Sequence, residues 1–229
     1  MKPNSTRYVI EAENLTRIYT LGDSEVIGIN AVDLRIAAGE LVVLKGNSGS
    51  GKSTLLSLLA GLDHPTGGKL TVAEHDLTKA TSSDLTLFRR EIVGMVFQSF
   101  NLMPTLNVLE NACLPGLLAG KKPSTLTGKA RKLLNWLGLN QRLTHLPAQL
   151  SGGEMQRAAI ARALIAQPKV LLADEPTGNL DGQTGREILD ILRSLNRREN
   201  LTIVMVTHDD SIARQADRTV RLIEGRVEE

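Results

Sequence analysis

The fold is decided between Glu40 and Gly61, in the stretch "ELVVLKGNSGSGKSTLLSLLAG". Glu40–Leu44 is a short, largely apolar run with two valines, as in a strand. Lys52–Ala60 is leucine-rich and stops at Gly61, as a helix does. Between them Gly46–Ser53 reads G-x-x-x-x-G-K-S, directly after the strand and directly before the helix, which is the context this motif requires. Its glycines let backbone N–H groups converge on phosphate oxygens, and the helix start adds its positive dipole end. Lys52 is placed to reach the terminal phosphates and Ser53 to bind Mg²⁺.

Outward from this unit, Arg7–Glu13 and Asn30–Ile36 are short and β-branched, as in strands, and Ile92–Phe97 ("IVGMVF") reads the same way after a turn at "DHPTGGK". From Ser99 to about Gln149 the texture changes. Four prolines (Pro104, Pro115, Pro123, Pro147) punctuate apolar runs at helical spacing such as "KARKLLNWLGL", which predicts a helical subdomain inserted between core elements. Gly152–Ala166 is a helix apolar nearly all round, with Arg162 alone polar from Ala158 onward, and Gln167-Pro168 stops it. Val170–Ala173 is a continuous apolar run, the mark of a strand covered on both faces. The helix "GREILDILRSLNRRE" and the strand "LTIVMVT" repeat the alternation, so an α/β fold with a largely parallel sheet is expected.

Composition removes several classes of function. Lys and Arg number 27 against 25 Asp and Glu, and aromatics are 3%, so neither a basic field nor a base-stacking surface argues for a nucleic-acid partner. The single cysteine, Cys113, forms no internal disulfide and suits a reducing cytoplasm. "MKPNSTRYVIEAE" lacks the apolar segment of a secretory signal, and no stretch is apolar enough to span a bilayer.

Four further features carry chemistry. Asp174 and Glu175 end the "VLLA" strand, where neighbours alternate faces, so the two carboxylates suit separate jobs: one for a metal, one to orient or deprotonate a water. His208, in "VTHDD", lies along the same edge, and Gln98 follows the strand that leads into the helical insertion. "LSGGE" is odd. Ser151 and Glu154 form the grammar of a capping box, yet Gly152 and Gly153 occupy the first turn, where glycine costs about 1 kcal/mol relative to alanine. Close approach of something to that backbone is the expected reason.

With "GNSGSGKS", "VFQ", "LSGGE", "VLLADE", "NLD" and "VTH" in this order, the chain resembles the ATP-binding cassette (ABC) ATPases along its full length. The resemblance implies a single domain over 1–229. It has an α/β P-loop NTPase core with a mostly parallel sheet, an antiparallel β subdomain and an α-helical subdomain at about 99–149. It further implies an ATPase using ATP and Mg²⁺, dimerising head to tail so that each nucleotide lies between the P-loop of one copy and the signature of the other. Carried over by residue, Gly46, Asn47, Ser48, Gly49, Ser50, Gly51, Lys52, Ser53 and Thr54 would hold the phosphates. Tyr19, in "LTRIYTLG", would stack on adenine, or else is a plain strand aromatic. Ser53, Gln98 and Asp174 would serve Mg²⁺, Glu175 would be the general base, and His208 would contact the γ-phosphate. Ser151, Gly152, Gly153 and Glu154 would close over the partner's nucleotide, with Asp181 linking the two sites. Asn47 stands where proline is frequent and Glu154 where glutamine is frequent.

Within the family, "GMVFQSFNLMPTLNVLENACLP", "HLPAQLSGGE" and "ADEPTGNLDGQTG" are similar to the branch of lipoprotein release (LolD), macrolide and peptide export (MacB), cell division (FtsE) and the YbbA-type cassettes. That implies a homodimer bound to an integral membrane permease at the cytoplasmic face of the inner or plasma membrane. A cassette that relays a signal across the membrane without transport is the competing implication. Phe100, Leu102, Met103 and Leu106 read either as part of a groove for a permease helix or as core of the helical subdomain. Lys121, Lys122, Lys129, Arg131 and Lys132 read as a solvated face. A DNA-repair or translation cassette would need a coiled coil, zinc-binding cysteines or a second cassette, and a GTPase an Asn-Lys-x-Asp motif; the sequence has none of these.

Overall fold

The computed structural model describes residues 8–22, 24–208 and 210–228; Arg7, where the first expected strand starts, and Asp209 of "VTHDD" lie outside them. Strands β1 (Tyr8–Leu21) and β2 (Ser24–Ala37) form a long antiparallel hairpin. β3 (Leu41–Lys45) runs through the glycine loop into α1 (Lys52–Leu59), and β4 (Gly67–Val72) with β5 (His75–Asp76) completes a sheet of order β2-β1-β4-β5. α2 (Ser82–Glu91) leads to β6 (Val93–Phe97). Then come α3 (Val108–Leu118), α4 (Pro123–Trp136), a 3-10 turn at Pro147–Gln149 and α5 (Gly152–Leu164). β7 (Val170–Asp174), α6 (Gly182–Glu199), β8 (Thr202–Val206), α7 (Asp210–Ala213), β9 (Arg218–Ile223) and β10 (Arg226–Glu228) finish the chain. The second sheet has order β10-β9-β3-β8-β7-β6, parallel throughout except for the β9–β10 hairpin. The expected mostly parallel core and antiparallel sheet are both present.

The parallel strands are covered on both faces, and their alternation divides the core. Val42 and Leu44 enter one cluster with Leu55, Leu58 and Leu59 of α1 and the antiparallel sheet. Leu41 and Val43 enter another, built from α3, α4, α5 and α6 through Ala112, Leu134, Ile160 and Ile188.

β2 begins at Ser24, six residues before the expected Asn30, and two further boundaries differ from the sequence reading for local reasons. β1 continues past Glu13 because Asn14, at φ 48°, is accommodated in an irregular register with its N–H on Asp33 Oδ1 at 2.8 Å, which carries the strand on to Tyr19. α5 ends at Leu164, short of Ala166, because Gln167 turns to φ 60° before Pro168.

α2, α3 and α5 each open on a capping box: Thr81 with Asp84, Asn107 with Glu110, Ser151 with Glu154. The loop entering α3 is tied by fully buried Asn111, which accepts from Met103 N at 2.8 Å and donates to Met103 O at 3.1 Å and Leu106 O at 2.8 Å. In consequence Leu102 packs on the core while Met103 is 46% exposed.

Candidate nucleotide-binding and catalytic site

Strand register brings the expected residues to one edge. Phe97 lies beside Asp174, Asp174 beside Val206, and Val206 beside Leu44, so Gln98, Glu175, His208 and the glycine loop follow from the C-terminal ends of four adjacent parallel strands. That edge is where parallel α/β sheets take ligands. A cavity of about 950 Å³ lies elsewhere: Trp136, Pro168, Arg198 and Thr202 line it at the opposite ends of β7 and β8.

Within the loop, Gly46 has φ 157° and an added Cβ would stand 2.2 Å from Leu222 O, so no side chain fits. Gly51, at φ 101°, precedes α1 and no side chain caps that helix. Lys52 is only 6% exposed, and its ammonium donates to Gly46 O at 2.7 Å and Asn47 O at 2.8 Å. An anionic oxygen entering here would exchange neutral carbonyl acceptors for charge-assisted bonds, which are stronger. Ser53 is exposed at the helix start and Thr54 half-buried behind it. The loop therefore fits a polyphosphate.

Burial raises the Asp174 carboxyl above its ordinary pKa, the Glu175 charge raises it further, and Lys52 pulls it down. Glu175 adopts φ 44°, a left-handed conformation that costs a non-glycine residue about 1–3 kcal/mol and recurs at active sites. Its backbone is pinned there, N–H to Val206 O at 3.0 Å and O to Gly178 N at 3.0 Å. The side chain meets His208 Nε2 at 2.9 Å through Oε1, with His208 57% exposed towards the edge. Gln98 is held from below: Asn179 Nδ2 donates to Gln98 O at 2.9 Å, and a Cβ on Gly178 would come within 2.7 Å of Gln98 Nε2.

No group of three or more His, Cys, Asp or Glu that could hold a metal occurs among the described residues. A hard cation here would rest on one carboxylate, Ser53 and Gln98, with phosphate oxygens supplying the rest, a set that suits Mg²⁺.

Ser151–Glu154 and Asp181 meet at a second place, where α5 packs on the start of α6. Asp181 caps α6 through Gln183 N and Thr184 N, both at 3.0 Å, and Thr184 Oγ1 donates to it at 2.6 Å, which holds the Asp181 carboxyl below its usual range. A Cβ on Gly153 would lie 2.5 Å from Thr184 Cγ2, and one on Gly152 would lie 3.1 Å from Leu180 Cδ2. Close approach within this chain thus accounts for Gly153.

Glu154 accepts from Ser151 N at 2.8 Å and from Arg142 Nε at 2.7 Å, and chiefly the Arg142 bond depresses its pKa to about 2. A depressed carboxylate adds stability that is complete above its unfolded pKa, near 4.5, and is lost as pH falls towards about 2. The difference in urea midpoint between wild type and Glu154→Gln should therefore be full at pH 7 and shrink below pH 4.5. Its size should be about 1 kcal/mol or less, because Arg142 is 43% exposed and solvent screens the pair. A difference that grows in acid would contradict this assignment.

Two residues escape sequence reading. Arg162, the lone polar residue in that part of α5, donates to Phe100 O at 2.9 Å and to Asn101 O, fastening two residues at φ 61° and 50° just beyond Gln98. Its isolation in an apolar helix was the available signal. Gly28 lies against Tyr19, where a Cβ would be 2.8 Å from both Tyr19 Cε2 and Thr54 Cγ2; nothing in the local pattern marks it.

A phosphate-cradling loop, paired carboxylates and a histidine on one edge of a parallel sheet define a P-loop nucleotide hydrolase. Residues 29–178 match the ABC transporter family, and the chain belongs to it. It is 48% identical to the ABC transporter ATP-binding protein YbbA of Escherichia coli (strain K12), over 96% of this chain and 97% of that protein. It is 45% identical to the lipoprotein-releasing system ATP-binding protein LolD of Geobacter metallireducens, over 96% of this chain and 97% of that protein. Among solved structures, the ATP-binding cassette MJ0796, a dimer in a post-hydrolysis state bound to ADP and Pi, superposes with a TM-score of 0.88 at 39% identity, covering 96% of this chain and 97% of that one. The chain is an ATP-binding, ATP-hydrolysing subunit of the ABC transporter type.

Proposed function

We propose that this ATPase works as a head-to-tail homodimer that drives a separate integral membrane permease from the cytoplasmic face. In each site Gly46–Thr54 of one copy binds the phosphates, Tyr19 stacks on the base, and Ser151, Gly152, Gly153 and Glu154 of the other copy close over the γ-phosphate. Asp181, capping α6 beside that signature, connects the two sites. Ser53, Gln98 and Asp174 would hold Mg²⁺, which would neutralise phosphate charge. Glu175 takes the proton of the attacking water, and His208 orients Glu175 and meets the γ-phosphate. The insertion at about 99–149 acts as the helical subdomain and carries the permease-facing surface that includes exposed Met103.

The observation that carries this reading is the 2.9 Å Glu175–His208 contact, set by a left-handed backbone beside the loop that holds Lys52. The dimer is supported by the dimeric MJ0796 cassette, and a permease by the lipoprotein-releasing relative's membership of a system. No helix among the described residues is long and apolar enough to cross a membrane.

Ser151→Arg tests the dimer. Ser151 is exposed and its hydroxyl accepts only from Glu154 N, at 3.3 Å, among the bonds described, so a monomer tolerates the change. Hydrolysis should fall by about 10²-fold or more while ATP affinity of the monomer is retained, because a γ-phosphate ligand supplied by the partner is lost. Retained turnover would refute the trans site.

A further inference from the structure

Tyr19 is held from three directions. Its hydroxyl donates to Asp63 Oδ2 at 2.9 Å. The same carboxylate takes a bidentate pair from Arg17, Nε to Oδ2 at 2.8 Å and the terminal nitrogen to Oδ1 at 2.8 Å. Arg17 also lies over the ring, with Cζ 4.5 Å from its centroid. Beside the ring's Cε2 atom Gly28, having no Cβ, leaves room for both Tyr19 and Thr54.

These parts come from distant places. Arg17 and Tyr19 are two residues apart on β1, whereas Asp63 belongs to the turn "GLDHP" after α1, 44 residues beyond Tyr19. The Arg17 and Asp63 side chains are each 22% exposed, which separates them from an ordinary solvated surface pair. A bidentate guanidinium–carboxylate bond has fixed geometry, so the carboxylate that orients the phenol is itself oriented. The result links the antiparallel sheet to the phosphate-binding helix through one aromatic ring.

We propose that Arg17, Asp63 and Gly28 are positioning residues that hold Tyr19 as a preformed platform for the nucleotide base, with the guanidinium on one face of the ring and the base on the other. This rests on reading Tyr19 as the base-stacking residue. A ring already fixed loses little freedom when the nucleotide arrives, and affinity gained that way depends on groups that never touch the ligand. Asp63 thus sets how tightly the base is held, while the phosphates depend on the P-loop.

The test compares Mg²⁺–ATP with Mg²⁺–tripolyphosphate, which lacks the base, by calorimetric Kd, together with KM and kcat for ATP. Tyr19→Ala should weaken ATP about tenfold or more and leave tripolyphosphate unchanged. Asp63→Asn and Arg17→Met should weaken ATP about two- to tenfold through KM, with kcat at saturation retained, and Asp63→Glu should restore part of the loss. Combining Tyr19→Ala with Asp63→Asn should add nothing to Tyr19→Ala alone. If Tyr19→Ala leaves ATP affinity intact, the stacking reading fails and the clamp with it. Loss with Tyr19→Ala but none with Asp63→Asn overturns the clamp and leaves stacking standing. Equal weakening of ATP and tripolyphosphate by Asp63→Asn, in a variant whose thermal midpoint has also dropped, makes Asp63 an ordinary structural residue and overturns the proposal.

Discussion

Glu175→Gln is expected to bind MgATP and turn it over about 10²- to 10⁴-fold more slowly than the wild type, the range that a general base contributes. The change is isosteric, so the left-handed backbone at φ 44° and an acceptor for His208 both survive, and what disappears is the capacity to take a proton. Binding persists for a second reason. The Glu175 charge is one of the two causes that hold the Asp174 carboxyl above its ordinary pKa, so removing it makes Asp174 easier to ionise and keeps it available for the proposed Mg²⁺. With hydrolysis stalled and ATP bound, the closed dimer should accumulate and elute ahead of the monomer on size exclusion in the presence of MgATP. A monomer with undiminished phosphate release would sink the assignment of Glu175.

Lys52→Ala is expected to fail one step earlier, at binding. Its buried ammonium rests on two loop carbonyls, and each charge-assisted bond it transfers to phosphate is worth about 1.5–3 kcal/mol. Losing two such bonds predicts an affinity for ATP lower by about 10²-fold or more. The readout is thermal: a ligand that binds only the folded state raises its stability in proportion to ln(1 + [L]/Kd), so millimolar ATP should raise the unfolding midpoint of the wild type and leave that of Lys52→Ala in place. An unchanged ATP-induced shift would show that Lys52 does not carry the phosphates.

The core could be read from the chain because its signals are local. A strand, a glycine loop and a helix follow one another between Leu41 and Leu59, and Val170–Asp174 and Thr202–Val206 announce themselves as continuous apolar runs. For the same reason Gln98, Glu175 and His208 were legible as strand-end residues, since parallel register then sets them side by side. Illegible were the features that join segments far apart. Asp63 and Arg17 are 46 residues apart, Arg162 and Asn101 61, and neither pairing has a pattern in sequence. Positive φ at Glu175 also has no sequence signature, because glutamate reads as an ordinary residue whatever its backbone does. The glycines of "LSGGE" were legible as an anomaly but not in their cause: Gly153 is needed at least for Thr184 of its own chain.

The left-handed Glu175 sets a limit on how robust this protein can be made. Glycine would relieve the backbone at that position, so a selection for thermal endurance alone would favour it, and the same replacement would erase the proposed proton acceptor. Durability and turnover therefore compete at a single peptide unit. Any hardened version of this enzyme has to find its gains elsewhere in the sheet and leave that strained residue alone.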